Sequence, residues 1–184
     1  MTKRILAICL IIGFTFTQTV LADDIYPDTI AKFKQANDTH KFFDNAYGYA
    51  IFPTVGKGGF GIGAAYGKGK VFRDQDHTGN TSLTQLSLGF QIGGQAYSEI
   101  IFFKNAAAYE AFTSGSFEFN AQASAVAINI GANAQAGTTG NSSGAGDKMA
   151  KASYINGMAV YTMAKGGLMF EAALAGQSFT FEEN

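Results

Sequence analysis

The sequence predicts an α+β fold: a mainly antiparallel, strongly curved or barrel-like sheet with an N-terminal helix and one internal helix. Three observations lead there. From Gly59 to Gly67 one parity reads Gly59, Gly61, Gly63, Ala65, Gly67 and the other Phe60, Ile62, Ala64, Tyr66. Side chains alternate across a strand, so this is a strand with one bare face and one apolar, aromatic face. Glycine weakens a strand interior, so five tiny residues in register imply close approach of another backbone, a packed helix or a ligand. The second observation is a further alternation, Leu86, Leu88, Phe90 and Ile92 against Ser87, Gly89, Gln91 and Gly93. The third is that helical spacing is confined to 23–44 and 105–112, so strands dominate the rest.

The chain opens with a targeting pattern. Lys3 and Arg4 form a charged start, Ile5 to Phe16 an apolar run, and Val20-Leu21-Ala22 a small-residue cleavage site. The apolar run is short for a membrane span. Residues 1–22 are expected to be a signal peptide, leaving 23–184 as one domain in the periplasm or outside the cell. Acylation of Cys9 would leave hardly any signal before it. Cleavage removes the only cysteine, so no disulfide supports the exported fold. Fifteen of the 17 phenylalanines lie beyond Ala22, enough apolar bulk for a core without staples. With Lys3 and Arg4 removed the charge balance is 11 − 14 = −3. Nothing in it attracts nucleic acid globally, and binding to an anionic surface needs a local patch.

The elements follow in order. Asp23 to Asp44 reads as helix, with Pro27 in its first turn, Ile30 and Phe33 on one side, and a restart at Asn37-Asp38. Tyr49 to Val55 is an apolar run interrupted by Pro53, and the glycine strand follows. DQDHTGN, within 71–83, reads as a polar hairpin loop. Glu99 to Phe103 is a buried-strand candidate. Asn105 to Phe112 is the best internal helix, with Asn105 as N-cap. Strands resume over 116–134, a Gly/Ser/Thr/Asn loop spans 135–146, and 155–164 and 167–181 close the domain. An outer-membrane barrel shares glycine-rich alternation. The internal helix, the buried run at 99–103 and the ending Glu182-Glu183-Asn184 argue against it.

Motif matches for catalysis lack context. Gly56 to Gly61 satisfies GxGxxG but runs on into a strand, whereas a dinucleotide site opens a helix. Gly140 to Gly144 satisfies GxSxG, yet both histidines, His40 and His77, lie upstream of it. Asp74, Asp76 and Thr78-Gly79 begin like a calcium loop, but Gln85 stands where the bidentate acid belongs. No metal, cofactor or catalytic set is predicted. Glu99, Glu118 and Glu171 sit in strand-like segments, and burial of any would demand a partner or a shifted pKa.

The cations are more informative. Lys57, Lys68, Lys70 and Arg73 fall within 17 residues around the glycine hairpin. Lysines beside exposed backbone amides can hold an anionic headgroup while Phe60 and Tyr66 meet acyl chains. Lysines flanking strands also serve to solubilise sheet edges.

AYGYAIFPTVGKGGFGIGAAYGKG at 46–69 resembles the signature of the SYLF domain family. SLTQLSLGFQIGGQAYSEIIFF at 82–103, FTSGSFEFNAQASAVA at 112–127 and YTMAKGGLMFEAALAGQSF at 161–179 match in the same order, so the resemblance covers about 135 residues. It implies non-catalytic lipid or phospholipid binding at the cell envelope, as described for bacterial members. Fungal and animal members are described as binding phosphoinositides and, in some cases, actin filaments. An exported chain would not meet actin. DQDHTGNTSLTQ and the absence of tryptophan depart from the eukaryotic pattern and its headgroup specificity. The alternative is an envelope interaction or structural module without a lipid.

Overall fold

The computed structural model describes residues 25–60, 62–88, 93–119, 128–129, 154–165 and 176–184. The expected signal peptide, Gly61, residues 89–92, the 135–146 loop and all of 167–175 with Glu171 lie outside the described residues, as does the greater part of the 119–134 strand segment.

Eight strands form one sheet: β1 (Gly48–Phe60), β2 (Ile62–Arg73), β3 (Asp76–Leu88), β4 (Gly93–Phe103), β5 (Ser116–Glu118), β6 (Ile128–Asn129), β7 (Met158–Lys165) and β8 (Gln177–Glu183). Their order is β5-β8-β3-β2-β1-β4-β7-β6, antiparallel throughout except β6 with β7. Among the described residues no ladder joins β5 to β6, which corrects the barrel-like expectation.

Pro53 stands in a central strand, where its missing N–H would interrupt a ladder. Both ladders step over it. The register shifts between Ile51 and Thr54 toward β2, and between Phe52 and Val55 toward β4. Ser98 Oγ donates to the freed Pro53 carbonyl at 2.8 Å. The DQDHTGN loop contracts to a tight turn at Asp74 and Gln75, with φ of 51° and 73°. Two residues with positive φ match the twist of the strands they join, so pairing resumes at Asp76.

Helices cover both faces. α1 (Ile25–Gln35) and α2 (Asn37–Asn45) break at Ala36, the restart that the sequence indicated. They bury Phe33 and Phe42 against Ile51, Ile100, Phe102 and Tyr161. α3 (Ala106–Thr113) is capped by Asn105, whose Oδ1 accepts from the Ala108 N–H at 3.0 Å. Its Ala108, Tyr109 and Phe112 join Phe52, Phe103, Val160 and Phe179 on the opposite face. We call the α3 side inner and the α1–α2 side outer.

Candidate functional site

The glycine parity of β2 faces inward. Gly63, Ala65, Gly67 and Gly69 are buried, while Ile62, Ala64, Tyr66 and Lys68 between them are exposed. The close approach inferred from the glycines comes from β1. A Cβ on Gly67 would stand 2.8 Å from Val55 Cγ2, and one on Gly69 would stand 2.7 Å from the Phe52 ring and from the Ile51 carbonyl oxygen. The register step at Pro53 turns Phe52 and Val55 over β2, and only a bare strand leaves them room.

The opposite parity is left uncovered. Ile62 is 64% exposed, Tyr66 52% and Leu86 77%. Ala64 is the Cα partner of Leu86, and Tyr66 that of Thr84, so these side chains share one outer surface across β2 and β3. Monomeric proteins seldom leave large apolar side chains clustered in water without a partner.

Lys68 and Lys70 continue this outer stripe toward α1. Lys70 Nζ lies 4.7 Å from the Tyr26 ring centroid, and Lys34 Nζ lies 5.4 Å from that of Phe43. Between them runs a groove of about 610 Å³ lined by Tyr26, Ile30, Lys34, Tyr49, Lys70 and Phe72, among others. Burial pushes the Tyr49 phenol up to about 12, so its hydroxyl stays a donor at neutral pH.

The other residues of the predicted set go elsewhere. Lys57 is half-buried on the inner parity, as the partner of Ala65. Arg73 lies over the Tyr109 ring at 5.6 Å, on the α3 side. Phe60 ends β1, and its side chain lies outside the described part. The structure thus brings together Tyr66, Lys68 and Lys70 and separates them from Lys57 and Arg73.

Of the acids singled out in the sequence, Glu99 is buried and Glu118 is exposed, while Glu171 lies outside the described residues. Gln177 Nε2 donates to Glu99 Oε2 at 3.1 Å and reaches the Tyr97 hydroxyl at 3.5 Å. β8 and β4 are four ladder steps apart, a separation of about 19 Å in a flat sheet. Glu99 Oε1, Gln177 Oε1 and Thr162 Oγ1 have no partner among the described residues. Desolvation raises the Glu99 carboxyl to about 8 and raises the Tyr97 phenol as well.

No described grouping supports hydrolysis or metal binding. His77 Nε2 lies 3.0 Å from the Gly79 carbonyl oxygen in the hairpin, and His40 faces Asp44 on an exposed helix. Among the described residues no three metal-ligating side chains converge, Asp74 and Asp76 included.

Sequence reasoning missed Lys165 and Leu86. Lys165 Nζ donates to Thr54 Oγ1 at 2.7 Å, and Thr54 is the partner of Lys68. Nothing local in the sequence links residues 111 positions apart. Leu86 was legible as one parity of a strand, but which parity faces water is decided by the register with β2.

The sequence profile of the Ysc84 family, described as Las17-binding protein actin regulator, matches residues 84–184. Beta cell expansion factor A of Aeromonas veronii is 24% identical over 158 residues, 84% of this chain and 53% of that protein. The chain therefore spans about half the length of this curated relative. With the profile covering more than half of its residues, the chain belongs to the Ysc84, or SYLF domain, family.

Proposed function

We propose that this protein is a non-catalytic binding module for anionic phospholipid membranes at the cell envelope, and that the outer face of β2 and β3 is its contact surface. The observation that carries this reading is the continuity of exposed apolar side chains, Ile62, Tyr66 and Leu86, with the cations Lys68 and Lys70 on one sheet face. An apolar face bordered by lysines suits an interface in which rings and aliphatic groups enter the acyl boundary and ammonium groups stay among headgroups. The curvature expected of the sheet belongs to the same reading. Contact between β4 and β8 across four ladder steps supports a sheet curled around its inner face. Such curling turns the outer face convex, the shape that presents its middle strands first.

The family's description names Las17 and actin. For this chain the expected signal sequence and export favour a lipid over an actin partner, and no described side-chain set favours catalysis. The test is sedimentation with phosphatidylcholine vesicles, with and without phosphatidylglycerol, over a salt series. Binding to the anionic vesicles that weakens with salt supports the reading. Absence of binding to either, with no lipid in a mass-spectrometric extract of the purified protein, replaces it with an interaction module.

A further inference from the structure

We propose that the groove between α1 and the outer face of β1–β3 binds a free fatty-acid-type carboxylate, with the carboxyl group at Lys34 and the chain laid along Tyr49 and Phe72. This does not rest on the membrane reading. The groove takes Lys70 and Phe72 at one end of β2, whereas the exposed apolar surface starts from Ile62 at the other. Three rings pave its floor. Tyr49 stacks on Phe72 with centroids 5.1 Å apart, and Phe72 reaches His77 at 5.5 Å. α1 supplies the facing wall with Tyr26, Pro27 and Ile30. Tyr26, Ile30, Tyr49 and Phe72 are each only half-buried, so apolar surface stays open inside a space of about 610 Å³. That is the size of site that takes small organic ligands. Asn184 Nδ2 lies 3.2 Å from His77 Nδ1, and the Gly79 carbonyl oxygen 3.0 Å from Nε2. The ring is therefore the neutral tautomer protonated at Nε2, and it adds apolar surface without charge.

The charge of the groove has one sign. Lys34 and Lys70 line it, and no carboxylate does. Lys34 has no ion pair with a described residue. Its Nζ lies 5.4 Å from the centroid of Phe43, and the Phe43 ring meets Tyr49 edge-on at 5.5 Å. The ammonium group and the Tyr49 ring therefore flank the same side chain. The Tyr49 hydroxyl makes no hydrogen bond to a described residue, and burial keeps its proton in place. One ammonium group and one phenol O–H are donors for the two oxygens of one carboxylate. Lys70, packed on Tyr26 at 4.7 Å, adds positive charge to the wall. A wholly polar anion would leave the rings and Ile30 in water. An anion with a hydrocarbon chain covers them.

The test uses protein comprising residues 23–184 and decanoate below its micelle-forming concentration, read by the NMR signals of ring protons. Saturable shifts are expected at Tyr49 and Phe72, with Phe179 on the inner face unmoved. Lys34→Gln should bind decanoate about tenfold more weakly, the loss of one charge-assisted hydrogen bond. The same variant should bind decanol as well as the unaltered protein does, because the alcohol carries no charge. Tyr49→Phe keeps the ring and should weaken decanoate binding several-fold. Lys104→Gln removes a charge outside the groove and should cost less than about twofold, since salt screens distant charges. Equal losses in Lys34→Gln and Lys104→Gln, or shifts no larger at Tyr49 than at Phe179, would overturn the site. Dihexanoylphosphatidylglycerol, soluble as a monomer, is the second probe. Tighter binding of it than of decanoate at the same rings would assign the groove to a phospholipid and overturn the free acid.

Discussion

The inner and outer faces of the sheet handle charge differently. On the inner face Glu99 is fully buried, and its described hydrogen-bond partner is a neutral amide. On the outer face Lys68 is exposed beside Tyr66, with no described carboxylate within ion-pair distance. A protein built only for stability would pair such groups or leave them apart in water. The inner face manages its charge by protonation, since burial holds the carboxyl neutral over most of the physiological range. The outer face keeps its charges solvated beside exposed apolar groups, a combination that gains from a partner bearing phosphate and hydrocarbon. One backbone strand, β2, divides the two regimes by the parity of its residues.

That contrast sets the expected size of each perturbation. Phe179 is buried against Phe52, Phe112 and Phe119 on the inner face. Phe179→Ala should cost about 3–5 kcal/mol in denaturant unfolding, and a loss below about 1 kcal/mol would mean that the inner cluster is not the core.

Glu99→Gln comes next and has a sign. Folding raises the carboxyl from 4.5 to about 8, so the folded state keeps a proton that the unfolded state releases. This group's contribution is full below about pH 4.5, declines as pH rises toward 8, and stays at its low level above. The glutamine variant removes that decline and should be more stable than the unaltered protein at pH 7 by on the order of 3 kcal/mol. Urea midpoints at about pH 5 and about pH 8 decide it. An equal pH response in the two proteins would show that Glu99 ionises freely.

Gly67→Val should cost about 1–3 kcal/mol, because its side chain would meet Val55 at 2.8 Å or less. Ordinary stability would mean that β1 yields easily. Leu86→Ser, on the outer face, should leave stability within about 0.5 kcal/mol while weakening vesicle binding. Equal binding by both proteins would remove Leu86 from the contact surface.

How much of this was legible depends on range. The α1–α2 restart and the Asn105 cap are local patterns, and the structure reproduces them, whereas the single strand read from Gly59 to Gly67 is split between β1 and β2, which pair antiparallel with Phe60 opposite Ile62 because the chain reverses there. The glycine parity announced close packing, but its cause, the bulge at Pro53 that turns Phe52 and Val55 over β2, lies on another strand. The turn at Asp74 and Gln75 lacks the glycine that normally marks positive φ, so the segment read as a longer loop. Lys57, Lys68, Lys70 and Arg73 look like one cluster in sequence. Arg73 differs in parity from Lys68 and Lys70, which the sequence did contain. The face of Lys57 depends on the β1–β2 register, which it did not. Lys165 joins the outer group only through the β4–β7 ladder.

The most direct test exploits the absence of cysteine after residue 22. An environment-sensitive fluorophore is attached through Leu86→Cys on the outer face or through Glu110→Cys on the exposed side of α3. Labelled protein comprising residues 23–184 is then mixed with anionic vesicles. The account predicts a blue shift and protection from aqueous quencher at position 86, with little change at 110. A shift at 110 with none at 86 would place the membrane on the α3 side and contradict the outer-face assignment.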